Sequence, residues 1–137
     1  MGLAVGATRS ALAARCATVS GLRAYDKIPA APVPPCAIVG APDTIEFDST
    51  FGDSSTAFYG VTLLAARGDD ATAQALIDSW LNVGTALSVR DAINGNLGGV
   101  VMHATVVRAE SYGQQLFGFG DEAVSYLGVT LVVEVVS

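Results

Sequence analysis

His103 is the single histidine of this 137-residue chain, and imidazole is the side chain that most readily moves protons near neutral pH. General acid–base work would require a carboxylate beside it, and the nearest candidates are Glu110 and Glu134. Nothing in the spacing fixes either next to the ring, so His103 reads as a satisfied or solvent-facing residue. Serines are plentiful, but no Gly-x-Ser-x-Gly elbow presents one as a nucleophile. Gly118-Phe-Gly120 lacks the third glycine of a dinucleotide fingerprint and lies between strand patterns rather than opening a helix.

The acids Asp43, Glu46, Asp48, Asp53, Asp69, Asp70 and Asp91 are dispersed. They do not form the regular oxygen-donor spacing of a calcium loop. Asp69-Asp70 reads as a helix start, and Asp43, Glu46 and Asp48 alternate with Ile45 and Phe47 as a solvated or lumen-facing edge. Cys16 and Cys36 have no repeated CxxC spacing, so they read as buried free thiols rather than metal ligands. The expectation is a protein with no catalytic residue, no metal and no cofactor.

The elements that would hold such groups are clearest in the last third of the chain. Residues 100–112 and 123–136 are two long β-patterned runs flanking a glycine-rich tip at 113–121. In the second run Leu127, Val129, Leu131, Val133 and Val135 share one face, with Tyr126, Thr130 and Glu134 on the other. That period of two marks a strand with one buried face, and the two runs in tandem make a long antiparallel hairpin.

Upstream, residues 8–19 have helical spacing, with Thr8 or Ser10 as a cap and Gly21 as a stop. Residues 22–28 are extended. Five prolines stud 29–42, and those at 29–35 make a stiff connector, since proline cannot donate to a central ladder. Residues 36–40 form a short buried strand, 41–43 a turn, 44–48 another strand and 49–55 a polar loop. Residues 56–67 are apolar on both faces, as in a central strand covered on each side. Ala73, Leu76, Ile77, Trp80 and Leu81 follow at the spacing of a buried helical stripe. Thr85 or Ser88 opens a second short helix, with Ser88 and Asp91 spaced as a weak capping box.

With no internal repeat or long linker, the chain is one domain over 1–137. Its fold class is α+β: a mixed, mainly antiparallel sheet with a long C-terminal hairpin and helices packed chiefly on one face.

Composition narrows the function classes. The net charge is −6, Lys27 is the only lysine, and the six arginines are scattered. Phosphate neutralisation supplies most nucleic-acid affinity, so tight DNA or RNA binding is not expected, whereas an acidic wall would let DNA slide past. No apolar run reaches the length of a membrane helix, and the chain is expected to be soluble and intracellular when made. Half of the residues are hydrophobic and only 15% are charged, against about a quarter for an average domain. Either surface is hidden against other subunits or the coding sequence is biased toward Ala, Gly and Val. Leu116, Phe117 and Phe119 stand in the glycine-rich tip, where large apolar groups mark a contact surface unless they fold back on their own core.

Several phrases occur in the order seen in one known family. Gly21-Leu-Arg-Ala-Tyr-Asp-Lys-Ile-Pro29 is followed by Pro34-Pro-Cys-Ala-Ile-Val-Gly40, and then by Phe51-Gly52 before the 56–67 strand and Asp69-Asp70. Ser111-Tyr112-Gly113 and Tyr126-Leu127-Gly128 close the chain. In this order the sequence resembles the tail terminator proteins of long-tailed bacteriophages, particularly those infecting actinobacteria.

The resemblance implies a structural virion protein, not an enzyme. It would form a homohexameric ring, stop polymerisation of the major tail tube protein and present a surface to the head-tail connector protein, with DNA passing through the lumen unbound. Pro34, Pro35, Phe51, Leu116, Phe117 and Phe119 are then the candidate assembly contacts, carried on the connector, the 48–55 loop and the hairpin tip. The alternatives are another neck or tube protein, such as a head-completion connector or a tail tube subunit, or a small α+β enzyme or ligand-binding domain. The last would place a polar group, His103 or Glu134, in a pocket between sheet and helices.

Overall fold

The computed structural model describes residues 4–27, 29, 32–47, 55–67, 71–117 and 124–136. Helix α1, Val5–Cys16, begins three residues before the sequence pattern suggests, with Ala4 as its N-cap. Thr8 is not the cap. It is buried inside the first turns, where its hydroxyl donates to the Ala4 carbonyl at 2.7 Å. Thr8, Leu12, Ala13 and Cys16 form the stripe that faces the sheet. The helix stops at Ala17, and the turn that follows ends on Gly21, whose φ of +78 favours glycine.

The chain then enters β1, Arg23–Tyr25, which pairs in parallel with the start of β2, Cys36–Glu46. The turn expected at 41–43 does not form. Residues 36–46 make one strand that bends at Pro42, with irregular pairing on either side of it. The strand tolerates proline there because β1 pairs only with Cys36–Ile38, leaving the second half of β2 on an open edge where a missing N–H costs no ladder bond.

Strand β3, Thr56–Arg67, pairs with both β2 and β5, Val124–Val136, and β5 pairs with β4, His103–Phe117. The order across the sheet is β1-β2-β3-β5-β4, antiparallel everywhere except at β1. Helices α2, Ala71–Leu81, and α3, Val89–Ile93, join α1 on one side of the sheet. The α+β class and the one-sided helical layer agree with the sequence expectation.

The main core lies in that layer. Ala57, Tyr59, Val61 and Leu63 of β3 and Leu127 to Val135 of β5 alternate into it, meeting Leu12 and Cys16 of α1, Ile77 and Trp80 of α2, and Val89 and Ile93 of α3. The other face of β3 is only half-buried at Phe58 and Thr62, so the expected cover on both sides is incomplete. A satellite cluster of Cys36, Ile38, Leu64 and Tyr126, with Tyr25 against it, is buried on that face. The proline connector lies beside this cluster: Pro32 is buried, and its carbonyl accepts the Tyr126 hydroxyl at 3.3 Å.

The hairpin is longer than the sequence pattern suggests, because Gly113–Phe117 does not belong to a loop. Gln115, Leu116 and Phe117 pair with Tyr126, Ser125 and Val124. Strand β4 accommodates its polar, glycine-bearing stretch by two breaks in register, between Val106 and Arg108 and between Glu110 and Gly113. At the second break the Tyr112 hydroxyl sits 3.0 Å from the Asp78 carboxylate and 3.3 Å from the Gln74 carbonyl, tying β4 to α2.

Candidate functional site

The strand register places the described candidate contacts at one end of the sheet. Cys36 aligns with Leu64, and Leu64 with Gly128, so the connector residues Pro34 and Pro35 enter at the end toward which β4 and β5 extend. Pro34 is half-buried and Pro35 exposed, and the Pro35 carbonyl accepts the Arg23 N–H. Leu116 and Phe117 lie on β4 at this same end, as paired strand residues and not as loop residues. Phe51 and Phe119 fall outside the described residues, as do Asp48, Asp53, Asp69 and Asp70.

The opposite end is formed by Glu46, Thr56, Val136 and His103, aligned across four strands. Phe47 follows Glu46 directly, and the sequence pattern places it inward on a strand. The structure instead leaves it just past the end of β2 and 74% exposed. Met102, which precedes His103, is 67% exposed, and Val100 is also exposed. This end therefore carries the two most exposed large apolar side chains among the described residues, Phe47 and Met102.

His103 is exposed. Glu134 pairs with Thr105, one diagonal step away, and no hydrogen bond joins it to the imidazole among the described residues. Glu110 is engaged with Arg108 at 3.2 Å. The structure does not bring these groups together as an acid–base pair. Asp43 and Glu46 are exposed on the open half of β2, and no group of three or more metal-ligating side chains occurs among the described residues.

Burial raises the Cys16 thiol to about 12. It raises Cys36 to about 11, with Arg23 pulling the other way. Both are free, protonated core groups. No described helix is long and apolar enough to cross a membrane.

A pocket of about 260 Å³ opens where the ends of α2 and α3 meet the first irregularity of β4. Trp80 and Leu131, both nearly fully buried, form its floor, and Val106 to Ala109 form one wall. Leu81, Arg90 and Arg108 complete the lining, the two arginine side chains 43% and 60% exposed. Each guanidinium has one carboxylate neighbour, Asp91 at 3.1 Å and Glu110 at 3.2 Å, but neither carboxylate lines the cavity. The cavity is thus apolar below and rimmed by two guanidiniums, each already engaged by one carboxylate.

Local sequence explains its shape. Ser88 caps α3 by accepting the Asp91 N–H at 3.2 Å, while the Asp91 carboxylate accepts the Gly84 N–H at 2.7 Å instead of completing the capping box. This fixes Arg90 on the exposed side of a one-turn helix. Asn94 and Gly95 bond to Val106 and Ala104 and cover the outer edge of β4 up to the pocket. Sequence reasoning missed the pocket because its two arginines are 18 positions apart and meet only through the register of β4. The motif Glu46-Phe47-Asp48, an aromatic between two acids at a strand end, was the available sign that Phe47 faces water.

No family model matches the chain, and no curated protein matches its sequence.

Proposed function

We propose that this protein is a structural assembly subunit that works by shape: a tail-terminator-like chain that closes with its own copies into a ring, caps a tail tube and joins it to the head connector. The observation that carries this reading is the apolar sheet end. Phe47 and Met102, the two most exposed large apolar side chains among the described residues, stand at the same end of the sheet, and exposed apolar groups mark contact surfaces. The ordered resemblance described above and the low charge content support the same reading. The acidic open half of β2, with Asp43 and Glu46 exposed, suits a passage through which DNA slides without sticking.

Sedimentation of the purified chain tests this. A discrete, closed oligomer of fixed size is expected. Open-ended tubes would assign the chain to the tube itself, and a monomer at every concentration would end the ring reading.

A second reading is favoured by the pocket between sheet and helices, which is the place a ligand-binding domain would use. His103 and Glu134 do not line it, so the polar groups of that reading would be Arg90 and Arg108.

A further inference from the structure

We infer that the pocket over Trp80 is a socket for Phe47 of a second copy of this chain. The inference rests on the assembly reading above and names the contact that would join neighbouring subunits. Phe47 is the most exposed large apolar side chain among the described residues, and in sequence it stands between Glu46 and Asp48. The pocket has complementary chemistry, with an apolar floor of Trp80 and Leu131 and guanidiniums of Arg90 and Arg108 at the rim. A ring entering that floor carries the neighbouring Glu46 toward the arginine rim, and a guanidinium near a phenyl face adds cation–π attraction.

Size agrees. A cavity of roughly 150 Å³ admits benzene, and this one offers about 260 Å³.

The occupant cannot be the chain's own Phe47. That residue follows the end of β2, the pocket wall is β4, and β3 and β5 lie between them. At about 4.8 Å per strand step the separation across the sheet is about 14 Å. Knob and socket are therefore different surfaces at opposite sides of one sheet. A contact that joins unlike surfaces repeats head to tail, closing as a ring or running on as a filament. Pairing of the open β-edges themselves is a poorer route, because Pro42 and the irregular pairing in β2 and β4 interrupt both ladders.

The test uses Phe47→Ser, which removes the knob from an exposed position, and Ala109→Phe, which fills the socket from an exposed wall residue. Each variant alone should keep the wild-type circular dichroism and weaken self-association on the order of tenfold or more, as for loss of a central contact residue. Mixed in equal amounts, they should form dimers and nothing larger. The intact socket of one then accepts the intact knob of the other, and no free pair remains. Trp80, the only tryptophan, reports socket filling by its emission. Should Ala109→Phe fail to fold, Arg108→Glu, weakened alone and restored by Glu46→Arg, carries the same test.

If the wild type assembles and the variants assemble equally well, this contact is overturned while the ring reading stands. A wild type that stays monomeric overturns both. A monomer whose Trp80 emission titrates with 3-phenylpropionate assigns the pocket to a small carboxylate instead and overturns the proposal.

Discussion

Cys16 shows how a residue with reactive chemistry becomes inert through its surroundings. It lies on the buried stripe of α1, and burial raises its thiol to about 12. The thiolate is the nucleophile, so thiol reagents at pH 8 should label the native protein far more slowly than the unfolded one, as timed absorbance of the released chromophore would show. The sign of the pH effect follows. Above the ordinary thiol value of about 9 the unfolded chain loses its protons first, so stability falls as pH rises from about 9 toward 12. Denaturant titrations across that range should show the midpoint dropping, with a shallower drop in Cys16→Ala. At this scale the buried thiols were legible in the sequence, because an isolated cysteine in an apolar stripe has little else to do. Phe47 was not, since a strand pattern alone does not show where the strand ends.

Among the elements, β5 is the one whose register depends on a single glycine. A side chain at Gly128 would run into the Leu63 carbonyl and crowd Leu64, because the irregularity of β3 between Leu64 and Ala66 brings the two backbones close. Gly128→Ala should therefore cost about 1–3 kcal/mol, the range for overpacking, measured by chemical denaturation. The sequence showed β5 in full because its alternation is long and uninterrupted. It hid the continuity of β2, where proline normally signals a turn, because only the short reach of β1 makes that position an edge. It also hid the upper part of β4, since the pairing of Gln115 and Leu116 with Tyr126 and Ser125 comes from the partner strand rather than from any local pattern. The pocket was illegible for a related reason: it is made by elements meeting, not by any one of them.

Across the whole molecule, one cluster links all three helices to the sheet, and Trp80 lies inside it. Far-ultraviolet circular dichroism and tryptophan emission should consequently report one coincident unfolding transition in the monomeric Phe47→Ser variant, as expected for a single cooperative core of this size. Separate transitions would show that the satellite cluster under the proline connector melts on its own. The layer arrangement was readable from the order of patterns, as were the long hairpin and the helix carrying Trp80. What sequence could not supply was the pairing order that sets β2 and β4 on opposite flanks.

Those flanks carry a consequence of their own. Beyond the three residues of β1, the backbone of β2 is interrupted by Pro42, and that of β4 slips twice along its length. A passing strand would find few consecutive amides and carbonyls to zip against, which disfavours edge-to-edge growth of the sheet. Contacts between copies would then rest on fitting side chains, and such a fit can be satisfied and stop.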